Sequence, residues 1–339
     1  MSTQFNLAIV GATSGVGNEI LRMLEERSFP FKSLRLLDLP DCSGEFLECN
    51  DEQILVEPLG KDAFRGIDLA LFAGDIEASR EYCSAAVAAG AVCVDCSGAW
   101  GFDPEVPLLV PEVNADALAG FRTRGIVANP SPATIALTMA LKPLHDCGRI
   151  TRIVASTYQA VSSAGPKAID ELRIQSGELL NGRPGEATVF PYQIAFNCLP
   201  QTDGFQANGY TGEEMQLVDQ TRRILGGSSL GVTVTAVRVP VFYGYSMAVN
   251  VETETKIAVG QAREVLAAAP GVEVVDAIED LAYPMPVDAA GQDEVFVGRI
   301  REDESIANGL NLWLVTDNLR KGAAMNAVQI AELLVAKYL

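Results

Sequence analysis

The sequence has a single histidine among 339 residues and far fewer basic than acidic side chains. Its 25 Lys and Arg residues stand against 44 Asp and Glu residues, which gives a formal net charge of −19 and a pI near 4.4. A chain of this charge is not attracted to phosphate backbones or to anionic membrane surfaces. The composition therefore predicts no nucleic acid and no membrane as partner. One histidine also leaves little with which to ligate a metal ion, and no metal is predicted.

Long apolar runs are missing as well. None reaches the roughly 18 residues that a spanning helix needs, and MSTQF passes into the strand-like NLAIVG with no basic leader. We expect a cytoplasmic protein. The seven cysteines form an odd set, which predicts reduced thiols. Cys93 and Cys96 form a C-x-x-C pattern, but residues three apart on a strand point to opposite faces, so we predict no redox or zinc role. His145, near a predicted helix end, is predicted to be structural.

Two patterns of secondary structure follow each other along the chain. The first third alternates apolar strands with helix-period segments, which predicts an α/β fold with a doubly wound parallel sheet of the Rossmann type. From about Ile150 the strand-like runs are longer and separated by polar loops and helices, which predicts a second, α+β domain. The segment from Asp317 onwards has apolar residues at helical spacing and is predicted to form a closing helix.

A glycine-rich segment, GATSGVG, follows the first strand and opens a helix. Glycines there let the backbone approach a pyrophosphate, and the helix N-terminus supplies amide hydrogens. A tight turn that binds nothing is the alternative. The second strand ends at Asp38, about 20 residues further on, where an acid would bind ribose hydroxyls and repel a 2′-phosphate. The pattern predicts an NAD(P) cofactor, with NAD favoured over NADP. The candidate loop contacts are Gly11, Thr13, Ser14, Gly15, Val16 and Gly17.

Further motifs run nearly end to end. They are DCSGAWGFDPEVPLLVPEVN, ANPSPATI, LKPLHDCG, STYQAVSSAG, PYQIAFNCLPQ, NGYTGEEMQLVDQTRRIL, VRVPVFYGYSMAVNVET and VTDNLRKGAAMNAVQIAE. Through them the chain resembles the aspartate-semialdehyde dehydrogenase family. The resemblance implies a Rossmann domain of residues 1–131 and 317–339, a substrate-binding and dimerisation domain of residues 132–316, and a homodimer.

In this family a cysteine thiolate attacks the aldehyde, a hydride passes to NADP, and phosphate releases the acyl group as aspartyl phosphate. The resemblance places the nucleophile's position at Pro132, directly after Ser131. The proline side chain has no nucleophilic atom. Ser131 is predicted to cap the helix rather than to attack the aldehyde. The family's histidine base falls at Tyr245, and a phenol, whose pKa is ordinarily about 10, is a weak base at neutral pH.

The resemblance also maps family cations onto uncharged positions. The family's phosphate-binding arginine falls at Gly101, and a family lysine falls at Gln216. The segment that binds the 2′-phosphate of NADP falls at Asp38 to Cys42, which has no basic residue. These replacements remove most of the charge that would hold phosphate.

Positions that would hold an amino acid-like ligand are kept. By resemblance, Arg238 pairs with a carboxylate, Glu213 or Glu214 takes an ammonium, and Gln159 lies near the reacting carbon. Interdomain hydrogen bonds or surface ion pairs are the alternative roles. The resemblance also implies cofactor contacts at Ser162, Gly165 and Asn318, and Asn318 and Lys321 match a segment that lines the nicotinamide side.

Two functions are compatible with these residues. The first is a dimeric pseudoenzyme that has lost the family reaction, because Pro132 and Tyr245 replace nucleophile and base, and that retains nucleotide binding; this is the function that the sequence favours. The alternative is an active oxidoreductase with altered chemistry, in which hydride passes directly and Tyr245 donates a proton to a carbonyl. A relocated thiol is a third route, but none of the seven cysteines lies in a suitable motif.

Overall fold

The computed structural model describes residues 5–227 and 229–339, and the chain divides into two compact units. The first is Met1–Ser131 with Ala323–Leu339, and the second is Pro132–Gly322. Across the described ranges, no helix combines the length and apolarity needed to cross a bilayer.

The regular elements follow in chain order. The strands are β1 (Phe5–Val10), β2 (Phe31–Asp38), β3 (Phe46–Cys49), β4 (Glu52–Pro58), β5 (Leu69–Phe72), β6 (Val92–Asp95), β7 (Ile126–Ala128), β8 (Ile150–Gln159), β9 (Gly231–Arg238), β10 (Tyr245–Thr253), β11 (Val272–Val274), β12 (Val295–Asp303) and β13 (Gly309–Thr316). The α-helices are α1 (Gly15–Glu26), α2 (Ile76–Ala88), α3 (Pro111–Asn114), α4 (Pro132–Gly148), α5 (Pro166–Leu180), α6 (Gly212–Leu225), α7 (Val259–Ala267), α8 (Pro286–Ala289) and α9 (Met325–Lys337).

The first unit is the predicted Rossmann-type layer structure. Its sheet has the order β3-β4-β2-β1-β5-β6-β7, and all neighbours are parallel except the β3–β4 hairpin. Alternate residues of β1 show why the sheet is covered on both faces. Leu7 and Ile9 pack in one core with α1 and α9, whereas Ala8 and Val10 point to the opposite face, where α2 lies.

The second unit is the predicted α+β domain. Its sheet has the order β11-β12-β13-β10-β8-β9, in which β10 runs antiparallel to both neighbours and β8 runs parallel to β9. Helices α4, α6 and α7 pack against this sheet. The antiparallel centre brings the end of β8 and the start of β10 to the same edge.

Candidate active site

Four polar or aromatic residues form one transverse row across the second sheet. Tyr245 at the start of β10 is the register partner of Gln159 on one side and of Thr316 on the other, and Gln159 is the partner of Arg238 on β9. Partner residues in a sheet present their side chains to the same face. All four are buried, the most exposed being Arg238 at 6%. The sheet register therefore builds a continuous row from the ends of four strands.

Arg238 provides the positive charge of the row. Its Nη1 donates to the backbone oxygen of Ala160 at 2.9 Å and to the hydroxyl of Ser163. Its Cζ lies 6.0 Å from the ring centroid of Phe190, in cation–π range. Its Nε is buried without a hydrogen-bond partner among the described residues. One edge of the guanidinium is thus fixed, while Nε is left for a ligand.

Glu213 supplies the opposite charge. It is half-buried in the first turn of α6, and its Oε1 accepts a hydrogen bond from Gln159 Nε2 at 2.7 Å. Burial raises the pKa of the Glu213 carboxyl, although the charge of Arg238 opposes that shift. The neighbouring Glu214 is committed elsewhere, because it forms a capping box with Thr211 and accepts from the backbone N–H of Ala236. The structure therefore leaves Glu213 to face the row.

Tyr245 interacts electrostatically with both of these charges and has 2% of its surface exposed. Burial, with the negative charge of Glu213, raises its pKa to about 12, against the opposing interactions with Arg238 and Ser163. The phenol is therefore protonated at neutral pH. It can donate a hydrogen bond or a proton to a carbonyl oxygen, but it cannot act as a strong base.

Asn318 follows the row by two residues along the chain. Its Oδ1 accepts from the Ser162 hydroxyl at 3.1 Å and from the Gly244 N–H at 3.0 Å, while its Nδ2 is buried without a partner in the part of the chain that the structure describes. Gly165, at φ +87°, begins the turn into α5 and donates to the Ser162 oxygen. Ser162, Gly165 and Asn318 are therefore joined by hydrogen bonds, and their role in binding a cofactor stays a prediction.

Pro132 is the first residue of α4, and its ring lies against Gly322. A Cβ built on Gly322 would lie 2.8 Å from the Cβ of Pro132. His145 lies on the same helix about 20 Å from Pro132, given a rise of about 1.5 Å per residue. Its Nδ1 accepts from the Ile150 N–H at 3.2 Å, a structural role at the helix end. His145 is therefore too far along α4 to act beside Pro132.

The glycine loop of the first unit is shaped by its own packing. A Cβ on Gly11, at φ +77°, would lie 2.4 Å from Gly74 N, and one on Gly17 would lie 2.3 Å from Gly11 O. Ser14 caps α1 by accepting from Gly17 N at 2.9 Å. The Gly15 and Val16 N–H groups at the start of α1 donate to no group among the described residues. Two N–H groups at a helix N-terminus are what a pyrophosphate requires, so the loop fits the cofactor.

Asp38 ties the second strand to this loop. Its Oδ2 accepts from the Thr13 N–H at 2.9 Å and from the Thr13 hydroxyl at 2.8 Å, and its Oδ1 accepts from Leu39 N at 2.8 Å. Asp38 therefore organises the loop in addition to the ribose-binding role that the sequence predicts.

The remaining sequence-predicted positions differ in burial and charge. Gly101 is buried in a turn after β6, and Gln216 is half-buried on α6. Lys321 is buried in the short π-helix Arg320–Ala324 that precedes α9. Among the described residues, no group of three or more possible metal ligands occurs. Ser163 and Phe190, which contact Arg238, were missed by sequence reasoning because nothing in their local sequence marks them.

Comparison with known proteins identifies the family. Residues 6–121 match the family model described as semialdehyde dehydrogenase, NAD binding domain, and residues 141–321 match semialdehyde dehydrogenase, dimerisation domain. The aspartate-semialdehyde dehydrogenase of Legionella pneumophila is 49% identical over 340 residues, covering 100% of this chain and 98% of that protein. That of Aquifex aeolicus is 48% identical, covering 98% of each. The crystal structure of aspartate semialdehyde dehydrogenase II complexed with ASA from Vibrio cholerae has a TM-score of 0.97 at 46% identity, covering 100% of both chains.

The prediction of a pseudoenzyme is wrong. Relatives at 48–49% identity over nearly their whole length are named aspartate-semialdehyde dehydrogenase, and the Vibrio cholerae structure is a complex with ASA. The prediction gave decisive weight to Pro132 and Tyr245 and too little to the buried binding groups. Arg238 Nε, Gln159 Oε1 and Asn318 Nδ2 each lack a partner among the described residues. Such an atom costs about 1–3 kcal/mol of stability, a cost that a bound ligand would offset.

The two family models, the full-length relatives and the shared fold show that this chain belongs to the aspartate-semialdehyde dehydrogenase family.

Proposed function

We propose that this protein is an active NAD(P)-dependent oxidoreductase that acts on aspartate semialdehyde. The observation that carries the proposal is the buried row of Arg238, Gln159 and Tyr245 with Glu213 beside it. A positive side chain, a negative side chain and a protonated phenol lie close together, which matches a small molecule with a carboxylate, an ammonium and a carbonyl.

The binding roles follow from the unpaired atoms. The free Arg238 Nε takes an oxygen of the substrate carboxylate, for which a guanidinium is the preferred partner. Glu213 takes the ammonium. Gln159 donates from its Nε2 to Glu213, and its Oε1, which has no partner in the described chain, is available to the substrate.

The chemistry uses Tyr245 where the resemblance leads one to expect a histidine. The high pKa of Tyr245 keeps its hydroxyl protonated, so it polarises the aldehyde oxygen by donating a hydrogen bond. Bound oxidised nicotinamide supplies the hydride acceptor. In balance, the aldehyde carbon loses a hydride and an oxygen of phosphate or water bonds to that carbon. One proton is released when phosphate adds, and two are released when water adds, because the product is then a carboxylate. Neither Pro132 nor Tyr245 supplies a thiolate, so no thioester forms at these positions.

The cofactor preference is proposed to be NAD over NADP. Asp38 is buried, carries a negative charge and lies at the end of β2, where a 2′-phosphate would be repelled. Thermal unfolding tests this directly, because a ligand that binds only the native state raises the Tm. We expect a larger Tm rise with NAD than with NADP at equal concentration. An equal or larger rise with NADP would refute the preference.

The quaternary state is proposed to be a homodimer. Residues 141–321 match a dimerisation domain, and size-exclusion chromatography with light scattering should give twice the mass of 36.1 kDa. A monomer at micromolar concentration would contradict this.

The activity is tested with purified protein, aspartate semialdehyde and either cofactor, by following reduced nicotinamide. Parallel reactions with and without phosphate separate acyl transfer to phosphate from oxidation by water. Because Gly101 and Gln216 carry no charge, we expect a high KM for phosphate. No nicotinamide turnover in any arm would refute the proposed function.

A further inference from the structure

We infer that Glu171 is a positioning residue for the carboxylate site, because it fastens the segment that carries Phe190 over the guanidinium of Arg238. The inference rests on the proposed function, in which Arg238 binds the substrate carboxylate. Glu171 itself has no direct contact with the row.

Glu171 lies on α5 and is 5% exposed. One short segment supplies most of the hydrogen-bond donors to its carboxylate. Its Oε2 accepts from the Thr188 N–H at 2.8 Å, from the Thr188 hydroxyl at 2.7 Å and from Val189 N. Its Oε1 accepts from Phe190 N at 3.4 Å. No cation forms an ion pair with it in the described chain. Its buried charge is therefore balanced by these donors, which fixes their positions.

Gln175, one turn further along α5, fastens the rest of the segment. Its Oε1 accepts from Ile194 N at 2.9 Å and from Ala195 N at 3.1 Å. Its Nε2 donates to Glu186 O at 2.7 Å and to Glu171 Oε1 at 3.2 Å. Two side chains on one helix face thus hold residues 186–195, a stretch with no helix or strand of its own.

The held segment reaches the binding site through Phe190. The ring centroid is 6.0 Å from Arg238 Cζ, while Ala160 and Ser163 hold Arg238 Nη1. A ring over the guanidinium excludes water from that side, and a less hydrated guanidinium attracts a carboxylate more strongly. Displacing Phe190 should therefore weaken substrate binding without touching the groups that act on the aldehyde.

The pKa of Glu171 agrees with this geometry. Burial would raise the pKa of the carboxyl, but the hydrogen bonds from Thr188, Val189 and Phe190 together outweigh burial and lower it. The carboxylate is therefore charged, and so a full acceptor for all of these donors, at neutral pH.

Glu171→Gln is the sharpest perturbation because it keeps size and shape. If the amide oxygen faces Thr188 and Val189, the amide nitrogen faces the N–H of Phe190 and the Nε2 of Gln175, so donors meet donors. Gln175 cannot flip to relieve this without losing its bonds to Ile194 and Ala195. The variant therefore loosens Phe190 selectively.

We expect Glu171→Gln to raise the KM for aspartate semialdehyde roughly threefold to tenfold, because the displaced ring of Phe190 shields the guanidinium of Arg238 less. We expect kcat to stay within about twofold and the KM for the cofactor to be unchanged. Glu178→Gln is the matched control on the same helix. Glu178 pairs with Arg183 at 3.5 Å at the surface, so its loss should leave every constant unchanged.

A double-mutant cycle identifies Phe190 as the intermediary. Phe190→Leu alone should raise the same KM, and the double variant should be no worse than the poorer single variant. Additive KM effects, or a fall in kcat with KM unchanged in Glu171→Gln, would show a purely structural role and overturn the inference. If wild-type protein gives no turnover at all, the proposed function fails instead. In that case amide hydrogen exchange of residues 186–195 tests whether Glu171 holds this segment. An exchange rate that is unchanged in Glu171→Gln would refute that role.

Discussion

Replacing Tyr245 by phenylalanine is the most informative single change. The ring keeps its place between β8 and β13, and only the hydroxyl is lost, together with its interactions with Ser163 and Arg238. The stability cost should be about 2–4 kcal/mol, because one neutral and one charge-assisted hydrogen bond are lost. If the hydroxyl donates to the carbonyl, kcat should fall by about 10²–10⁴, or roughly 3–5 kcal/mol of barrier, while KM changes little.

Stopped-flow and steady-state measurements of reduced nicotinamide give kcat and KM for both proteins. Because the pKa of Tyr245 is about 12, about one molecule in a thousand has the phenolate at pH 9, and this group should cause no loss of rate up to that pH. Tyr158→Phe is the matched control, since Tyr158 is 37% exposed on β8 and packs on Trp313. A kcat for Tyr245→Phe within about threefold of wild type would show that the phenol is not the donor.

Three further predictions follow from the site. Arg238→Lys should raise the KM for the semialdehyde by roughly 10–100-fold, because lysine lacks the planar fork; an unchanged KM in the same assay would place the carboxylate elsewhere. Alkylation of native protein should label the exposed Cys42 and Cys198 and leave turnover intact; loss of activity in parallel with labelling would reveal a catalytic thiol. Glu171 has a lowered pKa in the folded state, so its contribution to stability is present at neutral pH and is lost as pH falls through that pKa. The Tm difference between wild type and Glu171→Gln should therefore shrink in acid, and a constant difference would contradict this.

Local patterns predicted the architecture well. The alternation of short apolar strands and helix-period segments gave a doubly wound sheet, and the later β-rich runs gave an α+β unit, because both periodicities are visible within a dozen residues. The row of Arg238, Gln159 and Tyr245 could not be derived in this way. It depends on pairings between strands far apart in the chain, and a shift of one residue would turn every side chain to the other face.

The choice between Glu213 and Glu214 had a readable signal. Thr211 and Glu214 have the spacing of a capping box, a pattern that commits the second glutamate to the helix N-terminus. Phe190 had no such signal. Its position beside Arg238 depends on a hydrogen bond to Glu171, which lies about 20 residues earlier in the chain.

The mistaken expectation of a pseudoenzyme has a physical lesson. The expectation rested on the absence of a cysteine at the position of Pro132 and of a histidine at the position of Tyr245. The structure adds that polar atoms of Arg238, Gln159 and Asn318 stay buried and unpaired among the described residues, a feature that indicates ligand binding and that no sequence pattern displays.

The central claim is that hydride leaves the aldehyde carbon of aspartate semialdehyde in this protein. The direct measurement is to supply the substrate with deuterium on that carbon and to analyse the nicotinamide product by mass spectrometry. We predict that the deuterium appears on the reduced cofactor and that Tyr245→Phe slows its transfer. A reduced cofactor without deuterium, or no reduced cofactor from the wild-type protein, would contradict the account.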